Sequence, residues 1–296
     1  MMLRTGFVAI ALAAAGPALA QAPDLAKLSA ELTAKESAVQ KATARPATWA
    51  ARAREFKTWL AAATDDEGKP LDAAARAGHI TDQIHTLDKE LGRAKGITAT
   101  ASQAEILGDK CLAKWLIMNC LVPMAGVLRE HDGTRILWQL QSGASEEDGG
   151  GMGAMLWDAA DTPRLIGWTF EGAWMEAPRY EPERQLLWVA GRMVGTGDGN
   201  ADILFQRQGG KWVEIDLGSW RADLDKRLPK GLGAWHGVDY DLTSLSAETE
   251  LWKDSDANCC ATGGRANLDF EIVGATLKLK GISAQTDGPG GAWKDY

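Results

Sequence analysis

The sequence predicts an α+β protein in which a helical unit is followed by an antiparallel β-rich domain. Between residues 24 and 95, apolar residues recur at helical spacing in a segment rich in Ala, Lys, Glu and Leu. After Gly96 the pattern changes to short runs of β-forming residues that are separated by glycine. The boundaries predicted from these changes are 1–20 for a signal peptide, 21–97 for the helical domain, 98–285 for the β-rich domain and 286–296 for a flexible tail.

Three apolar stripes support the helical unit. They are Leu25, Leu28, Leu32 and Val39; then Trp49, Ala53, Phe56 and Leu60; and finally Ile80, Ile84, Leu87 and Leu91. Each stripe places its side chains on one helix face, because residues three and four apart in a helix are neighbours. The stripes therefore predict an antiparallel helical hairpin or a three-helix unit whose members bury these faces against one another.

A hairpin towards the end of the chain is the best-defined element of the β-rich domain. Residues 267–272 and 276–280 both alternate, and Gly274 with Ala275 suits a two-residue type II′ turn. This turn sets a register in which apolar residues face each other and acids face bases. The predicted pairs are Ile272 with Leu277, Phe270 with Leu279, Glu271 with Lys278, and Asp269 with Lys280.

Two further glycine turns indicate more hairpins. Gly209 and Gly210 separate two strand-like runs, and Asp132 with Gly133 precedes another. Short antiparallel strands of this kind build either a β-sandwich or an irregular propeller-like stack. The sequence leaves both architectures open, because its similar strand segments are spaced too unevenly for a regular repeat.

The first twenty residues have the pattern of a signal peptide. Arg4 is followed by an uncharged apolar run at 6–16 and by a small-x-small cleavage signal that ends at Ala20. We therefore expect cleavage after Ala20 and a periplasmic or secreted mature protein. The apolar run is about half as long as the roughly 20 residues that a spanning helix needs, and no later run approaches that length. We expect no membrane span.

The overall composition argues against two classes of partner. Hydrophobic residues make up 45% and charged residues 24% of the chain, which is typical of a globular protein. The net charge is −8 and no cluster of Lys and Arg stands out, which argues against nucleic acid or an anionic membrane surface as a partner. The unusual feature is the presence of thirteen tryptophans against three tyrosines.

The four cysteines are Cys111, Cys120, Cys259 and Cys260. An even number of cysteines in an exported chain predicts disulfides, and these spacings do not match a zinc site. Four cysteines allow three pairings, which the sequence does not distinguish. We expect one of the two that join the 111/120 region to the 259/260 region, because a ring between adjacent cysteines strains the intervening peptide.

The loop at 195–202 (GTGDGNAD) is the most motif-like segment. It resembles the calcium loops of integrin-type repeats, and the candidate ligands are Asp198, Asn200 and Asp202. Val194 stands where the first acidic ligand belongs, and calcium takes six to eight oxygens. A plain glycine-rich turn is the alternative, and no other cofactor is expected.

No nucleophile or zinc-hydrolase motif accompanies the four histidines. No catalytic residue is assigned, although a glycosidase pair could be assembled by folding from Glu171, Glu176, Asp239 or Asp241. Tryptophans at 168–174 and 220–252 could stack on sugars, but tryptophan at strand spacing is more often part of a core.

Two segments resemble known families. Residues 191–202, the stretch RLPKGL and the motif DANCCATGG at 256–264 resemble a family of exported proteins from Gram-negative bacteria, in which Pro usually follows the cysteine pair where this chain has Ala261. The helices around 79–91 are similar to the helical domain of lysozyme-inhibitor-like envelope proteins, although residues 21–110 lack the cysteines of those domains. The first resemblance implies no activity, and the second implies an inhibitor-like function. The helical N-terminal unit and the lack of a catalytic constellation favour a non-enzymatic binding or inhibitor-like envelope module whose partner is an envelope protein or a glycan. The alternative is a carbohydrate-active enzyme with a Glu/Asp pair beside tryptophans.

Overall fold

The computed structural model describes residues 24–65, 67–145, 149–193, 195, 199–288 and 290–296. The signal peptide predicted at 1–20 lies outside these residues. Helices come first and antiparallel sheets follow, so the predicted α+β class is confirmed.

Three helices form the N-terminal unit: α1 (Leu25–Ala42), α2 (Pro46–Ala62) and α3 (Ala73–Gly96). Asp24 and Asp72 cap α1 and α3 by accepting hydrogen bonds from main-chain N–H groups of the first turn. The predicted stripes pack against one another, with Leu32, Val39, Trp49, Ile80, Ile84 and Leu87 at the centre. Within the described chain, no helix has the length and apolarity to cross a bilayer.

A connecting segment with the short helix α4 (Gln103–Ile106) leads into the first of three antiparallel sheets. Sheet A contains, in spatial order, β1 (Met118–Arg129), β2 (Arg135–Ser145), β3 (Gly149–Asp158) and β4 (Arg164–Gly172). The ribbon that follows pairs β5 (Trp174–Met175) with β8 (Gly191–Arg192).

Sheets B and C complete the β domain. Sheet B contains β6 (Arg179–Glu181), β7 (Leu186–Val189), β9 (Ile203–Gln208) and β10 (Lys211–Ile215). The helix α5 (Arg221–Arg227) precedes sheet C. Sheet C contains β11 (Leu232–Gly233), β12 (Asp239–Asp241), β13 (Ser246–Lys253), β14 (Gly264–Val273), β15 (Thr276–Gln285) and β16 (Lys294–Asp295), with β11 and β12 both paired to β13.

Sheet B lies between the other two sheets and is buried on both faces. Leu187 and Phe205 pack towards sheet A, whereas Leu186 and Leu204 pack towards sheet C. Each of these four side chains is at most 1% exposed. The described strands therefore form a three-layer stack, which differs from a two-sheet sandwich. The outer face of sheet A is covered by the connecting segment and by the ends of the helices.

The predicted hairpin forms between β14 and β15. Three predicted pairs are confirmed: Ile272 with Leu277, Phe270 with Leu279, and Glu271 with Lys278. The fourth is wrong, because the register shifts between Asp269 and Phe270 and Asp269 pairs with Gly281 in place of Lys280. The turns at 132–133 and 209–210 also connect antiparallel strands, as predicted.

The disulfides are Cys111–Cys120 and Cys259–Cys260, so the expected bonds between the two regions are wrong. The layer order explains the local pairing. Cys120 lies in β1 of sheet A and Cys111 in the connecting segment before it, at a Cα–Cα distance of 6.3 Å that suits a disulfide. Cys259 and Cys260 lie in the connection between β13 and β14 of sheet C, on the far side of sheet B.

The chain end at 286–296, which was expected to be flexible, contains a strand. β16 pairs with β15, and Tyr296 packs against the core between sheets B and C. The Tyr296 side chain also forms a 2.9 Å hydrogen bond with the hydroxyl of Thr286. These contacts place the end of the chain at the edge of sheet C.

Candidate functional site

The helical unit is docked onto the β domain by ion pairs centred on Glu171 of β4. Nη1 of Arg45 lies 2.6 Å from Oε2 of Glu171, and Nη1 of Arg52 lies 2.6 Å from Oε1. Burial disfavours the charged carboxylate, but the two guanidinium charges outweigh it and hold the pKa of Glu171 well below its usual range. Both oxygens of this candidate glycosidase residue are therefore engaged in docking.

A second carboxylate, Glu214 of β10, receives the N-terminus of α2. Its Oε2 accepts hydrogen bonds from the main-chain N–H groups of Ala47, at 2.8 Å, and Thr48, at 3.2 Å. Burial raises the pKa of Glu214, and the charge of Arg45 opposes this effect. The sequence does not predict this role, because a single Glu in a strand does not indicate that it caps a distant helix.

A cleft of about 580 Å³, here called the outer cleft, lies on the polar face of sheet C. Strand register sets the arrangement of its charged side chains. Asp239 lies opposite Glu248, Glu248 lies opposite Asn267, and Glu250 lies opposite Arg265. Directly opposite residues have Cβ atoms about 4.5–5.5 Å apart. The cleft therefore presents a compact grid of acceptors and donors.

Most of these side chains are not engaged by the described residues of the protein. The side chains of Glu248, Glu250, Arg265 and Asn267 form no hydrogen bond or ion pair with any other described residue. Asp239 is the exception, because it forms an ion pair with Arg192. The unengaged groups are free to bond to a ligand.

Aromatic rings complete the outer cleft. Trp293 is 47% exposed on its wall, and Trp252 is only 3% exposed. The ring of His236 covers Trp252, with the two centroids 4.1 Å apart. The buried indole Nε1 of Trp252 has no hydrogen-bond acceptor in the described part of the chain.

A second cleft of about 290 Å³, here called the inner cleft, lies between α2 and the β domain. It meets the outer cleft at His236 and Gly237, which line both. Glu55 contributes from α2, Asp216 from the segment between β10 and α5, and Arg221 from the start of α5. Charged groups from distant parts of the chain thus converge on one cavity.

Several groups in the inner cleft have shifted pKa values. Burial raises the pKa of Glu55, and the nearby charge of Asp216 raises it further. Burial also raises the pKa values of Asp202 and Tyr240, and it lowers the pKa of Arg221. Perturbed groups that share a cleft are a feature of functional sites.

The candidate calcium residues are only partly described, because Asp198 lies outside the described residues. Asp202 accepts a 3.0 Å hydrogen bond from Nε1 of Trp188 and a 2.9 Å hydrogen bond from Asn200. Asn200 also bonds to both main-chain polar groups of Val238, each at 2.8 Å. Asn200 and Asp202 thus tie their loop to the segment that precedes β12. No cluster of three metal-binding side chains occurs among the residues with described positions.

The other predicted carboxylates are dispersed. Glu176 forms a surface ion pair with Arg179. Asp241 closes a turn, where hydrogen bonds from the side chain and main chain of Ser244 lower its pKa. Of the four predicted residues, only Asp239 lines the outer cleft. The alternation of Glu248 and Glu250 ahead of Trp252 is the signal that could have identified the rest of its wall.

Comparisons of the chain with protein-family models, curated proteins and solved structures find no match, so the fold and these two clefts are the basis for inferring function.

Proposed function

We propose that this protein is an exported, non-enzymatic envelope module that binds a glycan in the outer cleft. One observation carries the proposal. An exposed indole ring, Trp293, shares a cleft of about 580 Å³ with four polar side chains that have no partner among the described residues. The volume falls in the range of about 300–1,000 Å³ that is usual for small-ligand sites.

Glycan chemistry matches this combination of groups. Each sugar hydroxyl can donate one hydrogen bond and accept others, so it suits a grid that contains both kinds of group. Glu248 and Glu250 supply acceptors, Arg265 supplies donors, and Asn267 supplies both. The apolar C–H face of a sugar ring suits an exposed indole, which is both apolar and rigid.

The test is calorimetric titration of residues 21–296 with soluble peptidoglycan fragments. We expect saturable binding, and we expect Trp293→Ala to raise the Kd roughly 2- to 12-fold, which corresponds to about 0.5–1.5 kcal/mol of aromatic contact. Glu248→Gln should also weaken binding, because a carboxylate acceptor is replaced by a neutral amide.

Trp59→Ala is the matched control. Trp59 is 47% exposed, as Trp293 is, but it lies on α2 beside Phe56 and His79. Its replacement should leave the Kd unchanged. Absence of saturable binding, or equal Kd values for the Trp293→Ala variant and the unchanged protein, would reject the proposal.

Glycoside hydrolysis is the second candidate function, because strand pairing places two carboxylates opposite each other. Asp239 and Glu248 lie directly opposite each other on β12 and β13, and a retaining glycosidase needs carboxyl groups about 5–5.5 Å apart. Hydrolysis predicts release of label from labelled peptidoglycan without added lysozyme, and loss of that release in Glu248→Gln. Glu271→Gln, in the hairpin, is the control. Slower digestion in the presence of added lysozyme would instead indicate an inhibitor.

A further inference from the structure

The inner cleft contains opposite charges that do not pair. Glu55 lies on α2 and Arg221 lies at the start of α5, and both line the cavity of about 290 Å³. Glu55 forms no hydrogen bond and no ion pair with any residue in the described ranges. This arrangement contrasts with the docking network, where both arginines bind a carboxylate directly.

Arg221 is held by neutral acceptors. Its Nη1 donates to the main-chain oxygen of Ala234 at 2.9 Å, and its Nη2 donates to that of His236 at 3.1 Å. The guanidinium also lies over the ring of Trp220, 4.8 Å from its centroid. These contacts orient the group without neutralising it. A charge that is buried without a counter-ion is costly, so Arg221 favours an anionic group in the cleft.

The acidic groups of the same cleft favour a cation. Asp216 is 2% exposed, and its carboxylate is bonded to the N–H of Gly218 and the hydroxyl of Ser219, which carry no charge. Its negative charge acts on Glu55, the neighbouring carboxylate. A positive group placed beside Glu55 would relieve the repulsion between the two acids.

The lining contains uncompensated groups of both signs. Arg45 and Arg52 are already bonded to Glu171. Arg221 therefore remains as the arginine of the lining without a bonded carboxylate among the described residues, and it shares the cleft with the acids Glu55 and Asp216. A ligand with a single charge would compensate either Arg221 or the acids, whereas a ligand that carries both charges and no net charge compensates both.

We propose that the inner cleft binds a small zwitterion, a free α-amino acid, whose carboxylate pairs with Arg221 and whose ammonium group pairs with Glu55. The cavity volume suits a molecule of this size, and Trp235, which is 44% exposed, offers an apolar surface for its side chain. This inference is separate from the proposed glycan binding, because it concerns the other cleft.

The experiment measures binding of the twenty standard amino acids to residues 21–296, first by thermal shift and then by calorimetry. The amino acid that binds most tightly is then compared with its N-acetyl and α-amide derivatives. These derivatives keep the side chain but lose the ammonium and the carboxylate charge respectively. We expect at least tenfold weaker binding of each derivative.

Glu55→Gln is the test variant, because its exposed position on α2 permits the substitution without unfolding, which circular dichroism checks. It should weaken amino-acid binding at least tenfold and reduce the discrimination against the N-acetyl derivative. Glu31→Gln, an equivalent change at an exposed position of α1, is the control and should have no effect.

Three results would overturn the inference: no saturable binding of any of the twenty amino acids, equal binding of the N-acetyl derivative, or an unchanged Kd in Glu55→Gln. Trp293→Ala separates the two proposals. It should weaken glycan binding at the outer cleft and leave amino-acid binding unchanged.

Discussion

Glu171 connects two arginines of the helical unit to sheet A, and its replacement is the most direct test of the docking network. The side chain of Arg45 is only 10% exposed and that of Glu171 only 17%. If the carboxylate is removed, Arg45 stays buried and loses its closest counter-ion, and it keeps only Glu214, whose Oε1 lies 4.0 Å from its Nε. Such a loss is costly even where the intact pair adds little net stability, because the remaining charge has already lost its water.

We expect Glu171→Gln to lower the free energy of unfolding by about 3 kcal/mol. This is the low end of the range for breaking a buried pair, because the Arg52 side chain is 40% exposed and retains some solvent. Urea unfolding at pH 7 measures the change. Glu176→Gln breaks a surface pair with Arg179 and should cost at most about 1 kcal/mol. Similar losses in the two variants would contradict the interpretation.

The pH dependence of the unfolding free energy in acid is a second test of the role of Glu171. The folded-state pKa of Glu171 lies below its unfolded value, which is about 4.3. Its stabilising contribution is therefore present above the unfolded pKa and is lost as the pH falls towards the folded pKa. The difference in unfolding free energy between the unchanged protein and Glu171→Gln should shrink steadily below about pH 5.

The carboxylates of Glu90 and Glu214 have the opposite effect on the pH dependence of stability. Burial raises the pKa values of Glu90 and Glu214, so their contributions are present below the unfolded pKa and decline as the pH rises through the folded values. Both groups remain in Glu171→Gln, so their effects largely cancel in the comparison. If the difference in unfolding free energy between the unchanged protein and Glu171→Gln stays constant from pH 7 to pH 3, the proposed role of Glu171 is excluded.

At the scale of elements, the β14–β15 hairpin depends on its glycine. Gly274 has a φ of +63°, which residues with a side chain rarely adopt, and the space around it is open. We expect Gly274→Ala to lower stability by about 1–2 kcal/mol from backbone strain alone. Thermal unfolding measures this.

Gly92 in α3 provides the matched comparison. It also has open space around it, but its φ is not positive. Gly92→Ala should raise stability by about 0.5–1 kcal/mol, because alanine loses less backbone entropy in a helix. If Gly274→Ala and Gly92→Ala change the stability in the same direction, the positive φ of residue 274 does not determine the effect of its replacement.

At the scale of the whole molecule, the three-layer stack requires close approach of sheets A and B. Gly167 of β4 is the contact point: a Cβ added there would lie 2.3 Å from the ring of Phe205 in β9. We expect Gly167→Ala to lower stability by about 1–3 kcal/mol through overpacking. Urea unfolding measures the effect. Gly150→Ala in β3, where a Cβ would meet nothing within 4 Å, is the control and should change little.

The two clefts also depend on the whole molecule, and they were the feature that the sequence predicted least. Glu55 lies in the second helix, whereas Arg221 and His236 lie after sheet B. No periodicity or short motif relates these positions. Asp239 was a candidate in the sequence, but Glu248 and Asn267 became its neighbours only through the pairing of β12, β13 and β14.

The sequence by itself determined the α+β class, the helix stripes and the hairpin turns at 132–133, 209–210 and 274–275. These features depend on residues that are close along the chain, so side-chain period and glycine conformation are sufficient to indicate them. The tertiary structure alone decided the local disulfides, the bulge that moved Asp269 and the pairing of Glu171 with two arginines. It also placed Glu55 and Arg221 in one cavity, where neither has a bonded counter-ion among the described residues. The physical reason is that the energy of a charge or a thiol depends on which distant groups lie within a few ångströms of it.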